Sequence, residues 1–363
     1  MFNPSPVSWR DTVAEQARRL APLAVLAAII LAVILLGGFA DTVMQRRVTF
    51  ALVNLSAVVA LYVFMGNSGI LNFSTAGFMA IGAYTSALLT MLPAMKQTFL
   101  PDLPAFLAAA QVSPLTGALA GGALAALVGL LVGWPLMRLS GIAAGIATLS
   151  LLIICYIVLG NWTSVTGGQQ SLMGLASYVG RWTAGLAAIA VVTVAFLYQE
   201  TRWAIALRAL REDEVAAKAS GIHVVRTRLI AFVLSAFLAG IAGALYGHFL
   251  GTLRIENFYF DLTFLLISML VVGGMRSLSG AVFGALLLSL LAEILRLAEI
   301  GIPVTGGAKL AAPAGLGDVI LAGLMLLIIL FRPRGIGGGR EIACLPSGKI
   351  PSIQDPSIQG KTT

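Results

Sequence analysis

The run Glu212-Asp213-Glu214, preceded by Arg208 and Arg211 and followed by Lys218, is the densest group of ionisable side chains in a chain that otherwise avoids charge. Only 10% of its 363 residues are Asp, Glu, Lys or Arg, whereas an ordinary soluble domain carries about 25%. The spacing favours ion pairing over catalysis, because Arg208 with Glu212, and Glu214 with Lys218, fall one helical turn apart on a shared face. Elsewhere the ingredients of catalysis are thin. Gly360-Lys361-Thr362-Thr363 has the close of a phosphate-binding loop, but Asp355 occupies the place of its first glycine. His223 and His248 are too few for a metal site, and Cys155 and Cys344 have neither disulfide-framework nor metal-ligand spacing. No Ser/His/Asp set and no pair of carboxylates points to a reaction. The chain is therefore expected not to be an enzyme and to hold no cofactor or metal of its own.

The elements that must position these residues are set by hydropathy. Apolar residues make up 59% of the chain, so the expected solvent for most of its surface is lipid. Its 40 glycines read as positions where membrane helices approach closely. Runs near the ~20 residues that cross a bilayer fall at 20–40, 48–65, 77–92, 114–137, 141–160, 182–198, 229–250, 262–274, 280–297 and 316–331. The expected fold class is all-α, a polytopic helical membrane protein with about ten spans. Runs 77–92 and 262–274 are short and adjoin the glycine-rich breaks "GNSGILNFSTAG" and "GGMRSLSG", which predicts broken or re-entrant pieces sheltered by neighbours.

Placing the amino terminus in the cytoplasm gathers most Lys and Arg on the cytoplasmic side, with both termini there. Arg46 and Arg47 fit that topology least, since they fall on the outer side. The resulting division is a cytoplasmic segment 1–19, a membrane domain 20–331, and a cytoplasmic tail 332–363 whose Gly, Pro and Ser content predicts disorder. The net charge of +8 is scattered over short loops and forms no stripe suited to nucleic acid.

The longest polar interruption is 199–228, where "WAIALRALREDEVAAKAS" predicts one surface helix ending at Ser220-Gly221. Two readings are open for it: a solvated connector, or a helix that docks into a groove of a cytoplasmic partner. Glu293, Arg296 and Glu299 lie at i, i+3 and i+6 near the outer end of a span, which predicts structural ion pairing or contact with a docked protein.

Residues 206–247, "ALRALREDEVAAKASGIHVVRTRLIAFVLSAFLAGIAGALYG", closely resemble the membrane subunits of branched-chain amino acid ABC importers, of the LivM type. Further motifs follow in family order: Gly82-Ala83-Tyr84, Ala147-Thr148-Leu149, Thr166-Gly167-Gly168, "VVGGMRSLSGAVFGALL" and "FRPRGI". The resemblance implies a permease in the bacterial inner membrane, surrounded by lipid and paired with a second related permease subunit. It also implies two cytoplasmic ATP-binding subunits that hydrolyse ATP, and a periplasmic substrate-binding protein. The 199–228 loop would then couple to the ATPase through Arg208, Arg211, Glu212, Asp213, Glu214, Ala216, Ala217 and Gly221. Against the family pattern of Glu-Ala-Ala, three residues and Gly, the chain has Val215-Ala216-Ala217 and Gly221, with Glu214 adjacent to the place of the acid.

An amino acid crosses as a zwitterion, and broken spans supply helix ends for its carboxylate and carbonyls for its ammonium. Asn54, Asn72, Ser74, Thr75 and Thr148 are the candidates to line that route, with interhelical hydrogen bonding as the structural alternative. Importers of urea or short amides look much alike in sequence. A secondary transporter or channel working alone would need intramembrane acids for coupling, and the 293–299 cluster is all this chain offers.

Overall fold

The structure, a computed structural model, describes residues 9–39, 41–300, 302–303, 309–310, 316–332 and 335–338. Its helices are α1 (Trp9–Leu36), α2 (Thr42–Ser68), α3 (Thr75–Thr90), α4 (Pro93–Phe99), α5 (Ala105–Ala109), α6 (Pro114–Leu136), α7 (Gly141–Asn161), α8 (Thr163–Thr166) and α9 (Arg181–Gln199). The chain continues through α10 (Arg202–Glu212), α11 (Glu214–Ala219), α12 (Val224–Leu250), α13 (Phe260–Gly273), α14 (Leu278–Ile300) and α15 (Leu316–Phe331). Two short antiparallel ladders join loops: β1 (Leu172–Met173) with β2 (Thr252–Leu253), and β3 (Ile302–Pro303) with β4 (Lys309–Leu310).

Each of the ten expected spans coincides with a helix, but not every helix is a full crossing. Among the described residues eight are long and apolar enough to span a bilayer, and nine if α3 and α4 count together despite the 120° bend between them. The α15 helix has 16 residues, about 24 Å of rise against a ~30 Å hydrocarbon core. The two glycine-rich breaks interrupt helices as expected. Residues 69–74 lead into the 16-residue α3 without helical structure, and residues 274–277 separate the 14-residue α13 from α14.

The α2 helix is the axis of the fold, packed by α9, α12, α13 and α14 and buried from Leu52 to Ser68. Ser235 of α12 donates to the Ala60 carbonyl at 2.7 Å, and Gln199 of α9 bonds the Tyr62 hydroxyl, so polar side chains as well as apolar ones fix its neighbours. By contrast α7 exposes Ile142, Ile146, Ile154 and Ile157, a face suited to lipid and not to water.

Close approach explains the glycines. A methyl at Gly82 of α3 would lie 2.0 Å from the Gly240 carbonyl oxygen of α12, and one at Gly121 of α6 would lie 2.5 Å from the Gly82 oxygen. Three backbones meet at this point because none carries a side chain there. In the same way, a methyl at Gly273 would lie 2.0 Å from the Gly280 oxygen across the α13–α14 turn.

Both terminal segments carry described structure. The α1 helix begins at Trp9, within the segment 1–19, and its apolar span starts at Leu20. The tail expected to be disordered from 332 starts with order: the Ile336 and Gly337 amides donate to the Val272 and Gly273 carbonyls at 2.9 and 3.0 Å. Ile336 and Gly337, at the end of "FRPRGI" and just beyond it, thus pair with the "VVGG" motif, the missing side chains at Gly273, Gly335 and Gly337 leaving room for the backbone. Residues 339–363, with the "GKTT" sequence, lie outside the described residues.

Candidate functional site

The stretch expected as one surface helix is two. Asp213 leaves helical geometry at φ −152°, ψ 109°, and its Oδ1 accepts from the Val215 and Ala216 amides at 2.8 and 3.0 Å. It therefore ends α10 and caps α11. The Thr201 side chain caps α10 through the Ala204 amide. Ala204, Leu207 and Leu210 bury one face of α10 against α12 and α2, the apolar stripe expected of a helix lying on a core. The terminus predicted at Ser220-Gly221 is present, with Gly221 at φ 83° and the Ile222 amide bonded back to the Ala217 carbonyl at 3.1 Å.

Four charged side chains of this loop, Arg208, Arg211, Glu214 and Arg228, are partly or fully buried and tie it to the membrane domain. Arg211 donates to the Gly66 carbonyl near the end of α2 at 2.7 Å and to Glu212 at 3.0 Å. Glu214 forms the expected pair with Lys218 at 2.8 Å and a second with Arg228 of α12 at 2.8 Å. Arg228, only 6% exposed, also donates to the Leu139 carbonyl between α6 and α7. Its two cationic partners, Lys218 first, hold the Glu214 carboxyl below the usual carboxylate range. Arg208 does not pair with Glu212 as expected. It reaches the Gln199 carbonyl at 3.0 Å instead, while Glu212 lies 3.7 Å from Arg276 in the α13–α14 turn. The outward face mixes small and apolar residues, Ile205, Val215, Ala216, Ala219 and Gly221, with the charged Glu212, Asp213 and Lys218, and Val215 is 78% exposed. Of the other expected coupling residues, Ala217 is buried and Asp213 is exposed.

Four of the five route candidates form one buried cluster. Asn72 accepts from the Ser74 hydroxyl at 2.7 Å and donates to Thr75 at 3.3 Å, while Thr148 of α7 accepts from the Phe73 amide and donates to the Gly145 carbonyl. These bonds satisfy the non-helical residues before α3 and pin them to α7, which is the structural alternative foreseen for them. Asn54 stands apart: it is 1% exposed, its Oδ1 has no hydrogen-bond partner, and it lines a cavity of ≈ 100 Å³ beside Ser289 and Glu293. Glu293 pairs with Arg296 through Nε at 3.0 Å and with Arg47 at 3.4 Å, as expected for intramembrane charge. Arg46 lies over the Phe249 ring at 5.4 Å. Both arginines sit at the end of α2 away from the α10–α11 surface, so their charge is absorbed locally. His248 is fully buried, with Ser86 and Thr90 on one ring nitrogen and the Ala176 carbonyl on the other, a satisfied structural group.

Residues 43–330 match the family described as the permease component of the branched-chain amino acid transport system. The chain belongs to this family. Among curated relatives, the high-affinity branched-chain amino acid transport system permease protein LivM of Salmonella typhimurium is 29% identical over 323 residues, covering 79% of this chain and 68% of the relative. LivM of Escherichia coli aligns to the same extent at 29%, and the LivH permease protein of Escherichia coli is 26% identical over 204 residues, 51% of this chain and 62% of the relative. No solved structure matches.

In this permease the polar loop is legible in the sequence, but which of its residues face outward is not. Arg228, a cation seven residues past Gly221 at the mouth of a span, carries a signal that it seeks an acid. Ser289 carries none, because a lone serine in an apolar helix ordinarily bonds its own preceding turn.

Proposed function

We propose that this permease subunit carries branched-chain amino acids into the cell across the bacterial cytoplasmic membrane, sharing the route with a second related permease subunit. Two separate ATP-binding subunits hydrolyse ATP and seat on the exposed face of α10 and α11. A periplasmic protein delivers the substrate, and both termini of the permease lie in the cytoplasm. Family membership supports the transport role, and the large share of Lys and Arg at the α10–α11 end supports the orientation.

The observation that carries the coupling is the anchoring of α10–α11. This short helical pair is bonded to the end of α2 through Arg211, to the α6–α7 turn through Arg228, and it meets the α13–α14 turn through Glu212. A displacement imposed on its outer face is delivered to several spans at once. For the partners to drive transport, they must bind the inward-open and outward-open arrangements with different affinity.

Val215→Lys tests this reading. The side chain is exposed and unpaired, so stability should change by no more than about 0.5 kcal/mol. Co-expressed with the partner subunits and reconstituted in proteoliposomes, the variant should lose at least about tenfold in ATP-driven uptake of labelled leucine, a coupling loss of ~1.4 kcal/mol. Uptake equal to that of the parent would remove α10–α11 as the docking face, and leucine uptake by this chain without partners or nucleotide would overturn the importer reading.

A further inference from the structure

Asn54 lies near the midpoint of the 27-residue α2, which is the depth at which transporters bind cargo. Its Oδ1 and the Ser289 Oγ of α14 are both buried without a hydrogen-bond partner, and both residues line the same cavity between α2, α13 and α14. Two buried polar groups without a partner on adjacent helices are costly, and a modest side-chain shift would bring a bound molecule to them. At ≈ 100 Å³ the cavity exceeds the room needed by a single water.

The charged groups at this cavity are of both signs. Glu293 is 9% exposed and is held by Arg296 on its own helix and by Arg47 on α2. Arg47 is the looser of the two, with its side chain 44% exposed and its Nε 3.4 Å from the carboxylate. Phe50, Leu265 and Met269 supply an apolar wall. A small zwitterion fits this chemistry. Its ammonium replaces Arg47 on Glu293, with Asn54 Oδ1 and Ser289 Oγ as further acceptors, and its carboxylate pairs with the released Arg47. One ion pair opens and two form, so no charge is left unpaired in the membrane.

We propose that this cavity is a transient binding site for the ammonium-carboxylate head of the transported amino acid, built within this subunit alone and opened by exchange of the Arg47–Glu293 pair. The inference rests on the amino-acid permease reading and goes beyond it, since it assigns Ser289, Glu293 and Arg47 to cargo.

The test uses the assembled complex in nanodiscs, with Cys155→Ala and Cys344→Ser as background and Ser289→Cys as reporter. Its modification by a small methanethiosulfonate reagent is followed with leucine or leucinamide, which keeps the ammonium and lacks the carboxylate. Saturating leucine should slow labelling about tenfold, and leucinamide should leave it nearly unchanged. No slowing by leucine marks a water-filled void and overturns the proposal, and equal slowing by both overturns the carboxylate's pairing with Arg47. If Ser289→Cys assembles poorly, Ala292→Cys on the same wall reports instead. As a second measurement, Asn54→Leu should keep thermal stability while lowering leucine uptake at least about tenfold, and unchanged uptake would again overturn the site. Should the parent complex move no leucine, the importer reading fails. Should the parent move leucine and the cavity variants match it, only the site fails.

Discussion

Glu214 illustrates how a charge in a wet loop can serve the chain's own architecture. Its carboxylate joins Lys218 on α11 to Arg228 on α12, and Arg228 continues to the α6–α7 turn. Glu214→Gln leaves the nearly buried Arg228 without its counter-ion, and because Glu214 is itself 29% exposed the expected cost is about 1–2 kcal/mol. Thermal melts in detergent measure it. The carboxyl is held below its ordinary range in the folded protein, so its contribution is complete above the unfolded-state value and fades as pH falls through the lower folded-state value. The gap between parent and variant melting temperatures should therefore be full at neutral pH and close in acid; a gap that persists unchanged in acid contradicts the assignment. Spacing made the Glu214–Lys218 pair legible in the sequence. It misled for Arg208 and Glu212, since Asp213 ends α10 immediately after Glu212 and the Gln199 carbonyl lies within reach of Arg208. The Arg228 contact, 14 residues away, depends on how α11 turns back at Gly221, and no helical spacing encodes that.

Helices were legible because a membrane span writes itself as an uninterrupted apolar run, and their contacts were partly legible because glycine marks close approach. What glycine does not reveal is which backbone it meets. Gly82, Gly121 and Gly240 converge on one point from three helices, whereas Gly221 has nothing within 4 Å of the place a methyl would occupy. The two kinds of glycine should therefore respond differently. Gly240→Val must push apart the Gly121 and Gly122 backbone and the Ala125 methyl, none of which can swing away, and it is expected to cost at least about 1–3 kcal/mol and to lower the yield of folded protein. Gly221→Ala meets only the strain of its positive φ, about 1–2 kcal/mol, and should fold in the membrane with a modest fall in melting temperature. Size-exclusion profiles and thermal melts of both variants check the ordering. Equal tolerance would mean that α3, α6 and α12 are not locked at that crossing. The ordered start of the tail was not legible for a related reason: "GIGG" has the composition of a linker, and only the bare backbone at Gly273 and Gly274 lets its turn bond there.

At the scale of the molecule, α2 connects the two regions that the proposed function needs. Near one end the Gly66 carbonyl accepts from Arg211 of α10, near the other Arg47 pairs with Glu293, and Asn54 with the cavity it lines lies between. A helix of 27 residues is a rod of about 40 Å, long enough to carry a shift at the α10–α11 surface to the opposite side of the membrane. Arg211→Gln isolates that connection, because α10 keeps its apolar footing through Ala204, Leu207 and Leu210 while the tie to α2 is lost. The reconstituted variant should still assemble and its partners should still hydrolyse ATP, but leucine moved per ATP should fall about 5- to 100-fold, the range of an ordinary coupling free energy. Measuring uptake and phosphate release on the same vesicles separates this from simple loss of activity, which lowers both together. If the ratio holds at the parent value, force reaches the cavity through α12 or the α13–α14 turn, and the Arg228 and Glu212 contacts become the ones to cut.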